Sequence, residues 1–328
     1  MKQLYLIILL FILLIGCSEE ESGLLEYKPY ETEISLITET ATIYGSLKLP
    51  NENGQFPIVL IIAGSGPTDR DGNNTVGLNT DCYKMISDTL ALHGIASLRY
   101  DKRGIAKSYN AGLKESDLIF DDYIDDAKKW IELINNDNRF EEIFILGHSE
   151  GALIGSIVAN QTLLDGFISV SGTAQRADSL ILEQLSNQPD YIKTESQNII
   201  DSLNNGILIS NVSQELYSLF RPSVQPYLIS WFQYNPKTEM SKIYSPILIL
   251  HGSTDLQVRS IEAQILAESN SSFAEIKIID NMNHVLKNVS NNYEENIATY
   301  SNPNLPLSTT FCEFLISFIK EISPLGNE

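Results

Sequence analysis

Cysteine is nearly absent: only Cys17, Cys82 and Cys312 occur in 328 residues. None belongs to a Cys-x-x-Cys pair or a Cys/His cluster, which argues against a structural zinc site, and nothing else in the chain signals a metal or organic cofactor. Basic residues are scarce as well. With 22 Lys+Arg against 42 Asp+Glu the formal net charge is −20, so a phosphate backbone would find no basic footprint and nucleic acid is not an expected partner; the acidity reads as solubility. The longest apolar run, residues 4–15, is too short to cross a bilayer comfortably, which takes about 20 residues. Internal repeats and low-complexity linkers are also lacking in the folded part. What is present is a 43% hydrophobic content with both Trp and Tyr, enough to bury the core of one large domain or two small ones.

The first residues have the form of a secretory signal: Lys2, the apolar run, then Gly16-Cys17. Leu14-Ile15-Gly16-Cys17 resembles the bacterial lipobox, and that resemblance implies cleavage before Cys17 and a diacylglycerol on its thiol. Residues 1–16 are then a lipoprotein signal peptide and 17–30 a lipid-anchored tether. Ser18 stands where an Asp would suggest inner-membrane retention. The triplet Glu19-Glu20-Glu21 resembles export tags of surface lipoproteins, although a solvated acidic spacer would look the same. The expected location is a bacterial membrane outside the cytoplasm, the outer one by this reading. A disulfide between Cys82 and Cys312 is chemically allowed there, but nothing in the sequence brings the two together.

Residues 31–328 alternate strand-like and helix-like text and read as one domain. "ISLITET" and "ATIYGSLKLP" make a first antiparallel pair, and residues 57–64 are a continuous apolar run of the kind buried on both faces of a sheet. Residues 94–100, 142–147, 166–172, 246–252 and 274–280 repeat that character. Helical text lies before His93-Gly94, over 123–134, after Ser149, over 260–269 and over 309–322. Strand, helix, strand in this order predicts an α/β fold with a mostly parallel sheet and right-handed crossovers. One interval, about 174–242, lacks such a strand. Its Gln, Asn, Ser, isolated aromatics and four prolines (Pro189, Pro222, Pro226, Pro236) predict short amphipathic helices forming a cap over one end of the sheet.

Gly147-His148-Ser149-Glu150-Gly151 has the form G-x-S-x-G, directly after a buried strand and directly before a helix. A serine in so tight a turn needs small residues two before and two after it. It then stands at the carboxyl end of the sheet, beside the positive end of the following helix. A nucleophile there needs a base, the base an orienting acid, and the developing oxyanion a pair of donors.

These features resemble the α/β-hydrolase superfamily, and within it the capped esterases and the serine aminopeptidase-like, dienelactone hydrolase-like branch. The order in that superfamily is nucleophile, acid, base, and the resemblance implies Ser149, then Asp255 in "LHGSTDLQV", then His284 in "IIDNMNHVL". His93, His148 and His251 read as structural, at a helix end, inside the turn and at a strand end. "AGSGPTDRDGN", residues 63–73, implies that the Ser65 N–H joins the Glu150 N–H as oxyanion donors. "LRYDKRGIAKS" resembles the superfamily's D-x-R-G-x-G-x-S loop, with Ala106 in place of the second glycine. The Glu150 carboxylate, unpaired, would oppose a nearby oxyanion, so it is expected to turn away and pair with a cation, Arg70 being the first candidate. The implied activity is cofactor-free hydrolysis of small to medium acyl esters. Aminopeptidase, thioesterase or acyltransferase chemistry stays open on the same triad, because substrate choice lies in the cap, and so, more remotely, does a non-catalytic binding lipoprotein. Tyr191, Tyr217, Phe220, Tyr227, Trp231, Phe232 and Tyr234 either line an acyl pocket under that cap or pack within it. Oligomeric state is not legible.

Overall fold

The apolar runs become eight strands of one sheet in a computed structural model that describes residues 27–109 and 114–323. Cys17 and the lipobox lie outside the described residues. In chain order the elements are β1 Tyr30–Ile37, β2 Thr42–Leu49, β3 Phe56–Ile62, α1 Cys82–Leu92, β4 Ala96–Tyr100, α2 Phe120–Asn135, β5 Phe140–His148, α3 Glu150–Ala159 and β6 Gly166–Val170. Five helices follow: α4 Ala177–Gln184, α5 Asp190–Asn204, α6 Tyr217–Phe220, α7 Gln225–Trp231 and α8 Pro236–Met240. The chain then returns through β7 Ile247–Gly252, α9 Ile261–Ser269, β8 Ala274–Ile279, α10 Tyr293–Ala298 and α11 Thr309–Ile322.

The strand order is β1-β2-β4-β3-β5-β6-β7-β8, antiparallel at β1-β2 and β2-β4 and parallel from β4 onward. Successive side chains of a strand face opposite ways, and β3 divides accordingly. Ile58, Leu60 and Ile62 enter the core shared with α2, α3 and the five inserted helices. Val59 and Ile61 enter the core shared with α1 and α11. Both faces are covered, which is why the run is continuously apolar. On α2 the buried residues Phe120, Ile124, Ala127, Ile131 and Ile134 recur at helical spacing and face the sheet.

The N-terminus of α2 pins the inserted helices. Phe120 stacks on Trp231 at 5.8 Å between ring centroids and also meets Tyr227 and Tyr234, contacts worth about 0.5–1.5 kcal/mol each beyond their buried area. The Phe120 N–H donates to Ser230 Oγ at 2.7 Å and Tyr234 Oη to Asp121 Oδ1 at 2.6 Å. Cys82 is buried and Cys312 half-buried, and both are free thiols.

Candidate active site

The turn from β5 into α3 puts Ser149 at φ 55°, ψ −118°, a conformation an L-residue adopts only under constraint. The constraint is close packing. A Cβ at Gly147 would lie 2.2 Å from the Gly151 carbonyl oxygen, and one at Gly151 would lie 2.3 Å from that of Ile62. Glycine at both positions is therefore a spatial requirement. The Ser149 N–H donates to the Val170 carbonyl at 2.9 Å, which ties the turn to β6 and leaves the side chain half-buried.

Asp255 and His284 emerge from the turns after β7 and β8. His284 Nδ1 donates to Asp255 Oδ2 at 2.8 Å, which in the neutral ring leaves Nε2 as the acceptor. Asp255 Oδ1 accepts the Gln257 and Val258 N–H groups at 2.8 and 3.0 Å. Burial alone would push this carboxyl up, but the His284 ring and these hydrogen bonds outweigh it and hold Asp255 at about 2. The two loops are joined by a residue that sequence reasoning did not select. Asn296, buried on α10, donates to the Thr254 carbonyl at 2.8 Å and accepts from Asn283 Nδ2 at 3.0 Å. The immediate neighbours of the acid and of the base are thereby linked.

His148 is structural, as its place inside the turn implied, but its partners lie in the site. Burial and the nearby His284 push it down to about 3, so its ring is neutral. Its Nε2 must donate to the His284 carbonyl, 2.9 Å away, because a carbonyl only accepts; Nδ1 then accepts from Tyr83 Oη at 2.8 Å. The Tyr83 oxygen in turn accepts the Gly64 N–H at 3.0 Å. One chain of hydrogen bonds thus runs from the base loop, past the serine turn, to the loop that carries Ser65. Tyr83 on α1 had no sequence signal. Ser65 itself is exposed, and a Cβ on its neighbour Gly64 would stand 3.2 Å from that of Ser149.

The expected pairing of Glu150 with Arg70 is corrected by the structure. Arg70 Nη2 donates to Asp101 Oδ2 at 2.7 Å and its N–H to Oδ1 at 2.9 Å, so Arg70 is held by the first residue of the D-x-R-G loop. The cation on Glu150 is the next residue, Lys102, with Nζ 3.0 Å from Oε1 and both side chains almost wholly buried. Consecutive residues leaving β4 point to opposite sides, so Asp101 meets Arg70 while Lys102 reaches Gly64 and the serine turn. Two further cations of the loop are engaged elsewhere: Arg103 by Asp126, Nε to Oδ2 at 2.6 Å, and Lys107 by Glu33.

A cavity of about 730 Å³ opens beside Glu150 and the Gly66-Pro67 turn, walled by Tyr109, Tyr123 and Tyr227. Of the seven cap aromatics only Tyr227 lines it. Phe220 and Phe232 are fully buried, Trp231 and Tyr234 pack on Phe120, and Tyr191 and Tyr217 face solvent.

A sheet of this order, parallel from β4 onward with helices on both faces, recurs among solved structures. Est1E from Butyrivibrio proteoclasticus, with ferulic acid bound, superposes with a TM-score of 0.60 over 88% of this chain and 96% of that one, at 17% identity. The esterase domain of a Rhodothermus marinus protein gives 0.56 over 90% and 100%, at 14% identity. The chain has the α/β-hydrolase fold. Residues 76–194, which include Ser149 and the start of the inserted helices, match the family described as serine aminopeptidase, S33. Esterase EstD of Thermotoga maritima is 25% identical over 252 residues, 74% of this chain but 57% of the relative, so the match spans little more than half of that esterase.

Proposed function

We propose that this chain is a serine hydrolase that cleaves carboxylic esters of small to medium acyl groups through Ser149, His284 and Asp255. The 2.8 Å contact from His284 Nδ1 to Asp255 carries this reading, because it fixes the neutral ring's proton on Nδ1 and so presents Nε2 as the general base. His284 Nε2 takes the Ser149 hydroxyl proton as Oγ attacks the ester carbonyl, and the Ser65 and Glu150 N–H groups receive the oxyanion. Collapse expels the alcohol, which takes the proton from His284. Water then hydrolyses the acyl-enzyme by the same route. The 730 Å³ cavity, whose size falls within the range of small-molecule sites, receives the substrate's larger arm.

The serine aminopeptidase match over residues 76–194 supports a second reading, cleavage of aminoacyl amides on the same triad. Purified residues 18–328, assayed on p-nitrophenyl esters of graded chain length and on aminoacyl p-nitroanilides, separate the two. Faster ester cleavage is expected; faster amide cleavage reverses the order, and hydrolysis persisting in Ser149→Ala removes the nucleophile. Cys17 is further proposed to carry the lipid that anchors the enzyme to the outer membrane. Labelled fatty acid should enter the full chain and not Cys17→Ser, and equal labelling of both would refute the anchor.

A further inference from the structure

The mechanism above gives no task to the buried ammonium of Lys102. The sheet order β4-β3-β5 sets Gly64, after β3, between Lys102, after β4, and Glu150, after β5. Lys102 is 1% exposed, and its ammonium is engaged in three directions: the Gly64 carbonyl at 2.6 Å, Glu150 Oε1 at 3.0 Å, and the Tyr123 ring, 4.9 Å to the centroid. A buried ion pair of this kind adds little to stability, because desolvation offsets the Coulombic gain. Stability alone therefore does not explain it.

We propose, on the basis of the serine hydrolase reading, that Lys102 is a positioning residue for the oxyanion site. The Gly64–Ser65 peptide is planar and trans, so the Gly64 C=O and the Ser65 N–H point in opposite directions. By holding the carbonyl, Lys102 sets the direction of the Ser65 N–H. Tyr83 Oη holds the Gly64 N–H at 3.0 Å, so the peptides on both sides of Gly64 are fixed. The same ammonium grips the carboxylate of Glu150, whose main-chain N–H is the second donor. One cation thus sets the two donors relative to each other. Its charge also cancels a carboxylate that would otherwise oppose the oxyanion.

The test reads the oxyanion site directly. A fluorophosphonate places its P=O oxygen there as it phosphonylates the serine, so its rate of reaction with Ser149 is followed beside ester kcat, KM and melting temperature. Lys102→Met is expected to slow phosphonylation and kcat about 10²–10³-fold, the usual cost of losing one oxyanion donor, with KM little changed. It also leaves Glu150 buried and unpaired, and so lowers the melting temperature. Lys102→Met with Glu150→Gln removes both charges; it should recover the melting temperature while reaction stays slow, because the Gly64 carbonyl is still unheld. Glu150→Gln alone keeps Lys102 on Gly64 and should lose less than Lys102→Met. Wild-type rates in Lys102→Met, or recovery of rate together with melting temperature in the double variant, overturn the proposal and leave the hydrolase reading standing. A wild-type enzyme that is not modified at Ser149 overturns both.

Discussion

The two halves of the site are held by different means. On the β7–β8 side, Asp255 and His284 sit in loops joined by neutral amides through Asn296, with the Asp255 carboxylate and the Lys287 ammonium both buried but not paired with each other. On the β3–β4–β5 side, the Gly64 turn and the serine turn are joined by the Lys102–Glu150 ion pair. Neutral hydrogen bonds are directional and cheap to desolvate, so they suit a half that must only aim an imidazole. An ion pair is costly to bury but brings a full positive charge beside a peptide carbonyl. The difference matches the charge each half is proposed to meet, a cationic ring on one side and an anionic oxygen on the other.

The largest effect should come from the Asp255 carboxylate of the first half. Asp255→Asn keeps an oxygen for the two amides but offers His284 Nδ1 a donor, which forces the wrong tautomer; steady-state assays should find kcat lower by about 10³–10⁴-fold with the fold intact. A loss below tenfold would mean that Asp255 does not orient the base. Asn296→Ala removes the side-chain link. It leaves the buried Thr254 carbonyl and one N–H of the Asn283 amide unpaired, while that amide keeps Thr299 Oγ1, so urea unfolding should register a loss of about 1–3 kcal/mol, and kcat should fall by up to about 10²-fold through misplacement of His284. Unchanged kcat would show that the loops hold themselves.

The hinge between the halves is His148, and pH tests it. Its folded value of about 3 lies below the ordinary 6.5, so the unfolded chain takes up the proton first on acidification. The stability contributed by its neutral form is fully present above pH 6.5 and is lost as pH falls toward 3, at about 1.4 kcal/mol per pH unit. Asp126 acts in the opposite sense: burial raises it to about 6 despite Arg103, so as pH falls through 6 the folded state takes up a proton before the unfolded chain does. The difference between wild type and His148→Asn isolates the histidine. Denaturation at a series of pH values should find the variant destabilised at pH 7, with that deficit shrinking between 6.5 and 4; a deficit independent of pH would contradict a neutral, buried His148. The smallest effect is expected at Ala106, whose φ of 41° lies in the left-handed region. Ala106→Gly relieves about 1–2 kcal/mol of backbone strain and restores a similar amount of unfolded-state entropy, so the melting temperature should move by only a few degrees.

Legibility followed locality. The strands were readable because a strand covered on both faces must be apolar throughout, and residues 57–64 and 246–252 show it without help from the rest of the chain. The serine turn was readable because the steric demand for Gly147 and Gly151 is written within five residues. The partner of Glu150 was not, because Arg70 and Lys102 are both cations in loops at the same end of the sheet. Which one faces α3 depends on the side each leaves its backbone. Tyr83 and Asn296 carried no signal, since a tyrosine early in one helix and an asparagine in another are ordinary until the folded chain brings them to Gly64 and Thr254.

By itself, then, the sequence determined the alternation of strand and helix, the turn around Ser149, and the order in which Ser149, Asp255 and His284 appear. These rest on periodicity and short-range sterics, which neighbouring residues impose on one another. The tertiary structure alone decided which charges pair and which neutral groups bridge the loops. The strand order β4-β3-β5 brings Lys102, Gly64 and Glu150 together across 38 and 48 residues of chain, and a contact of that separation has no signature in either segment until the sheet is built.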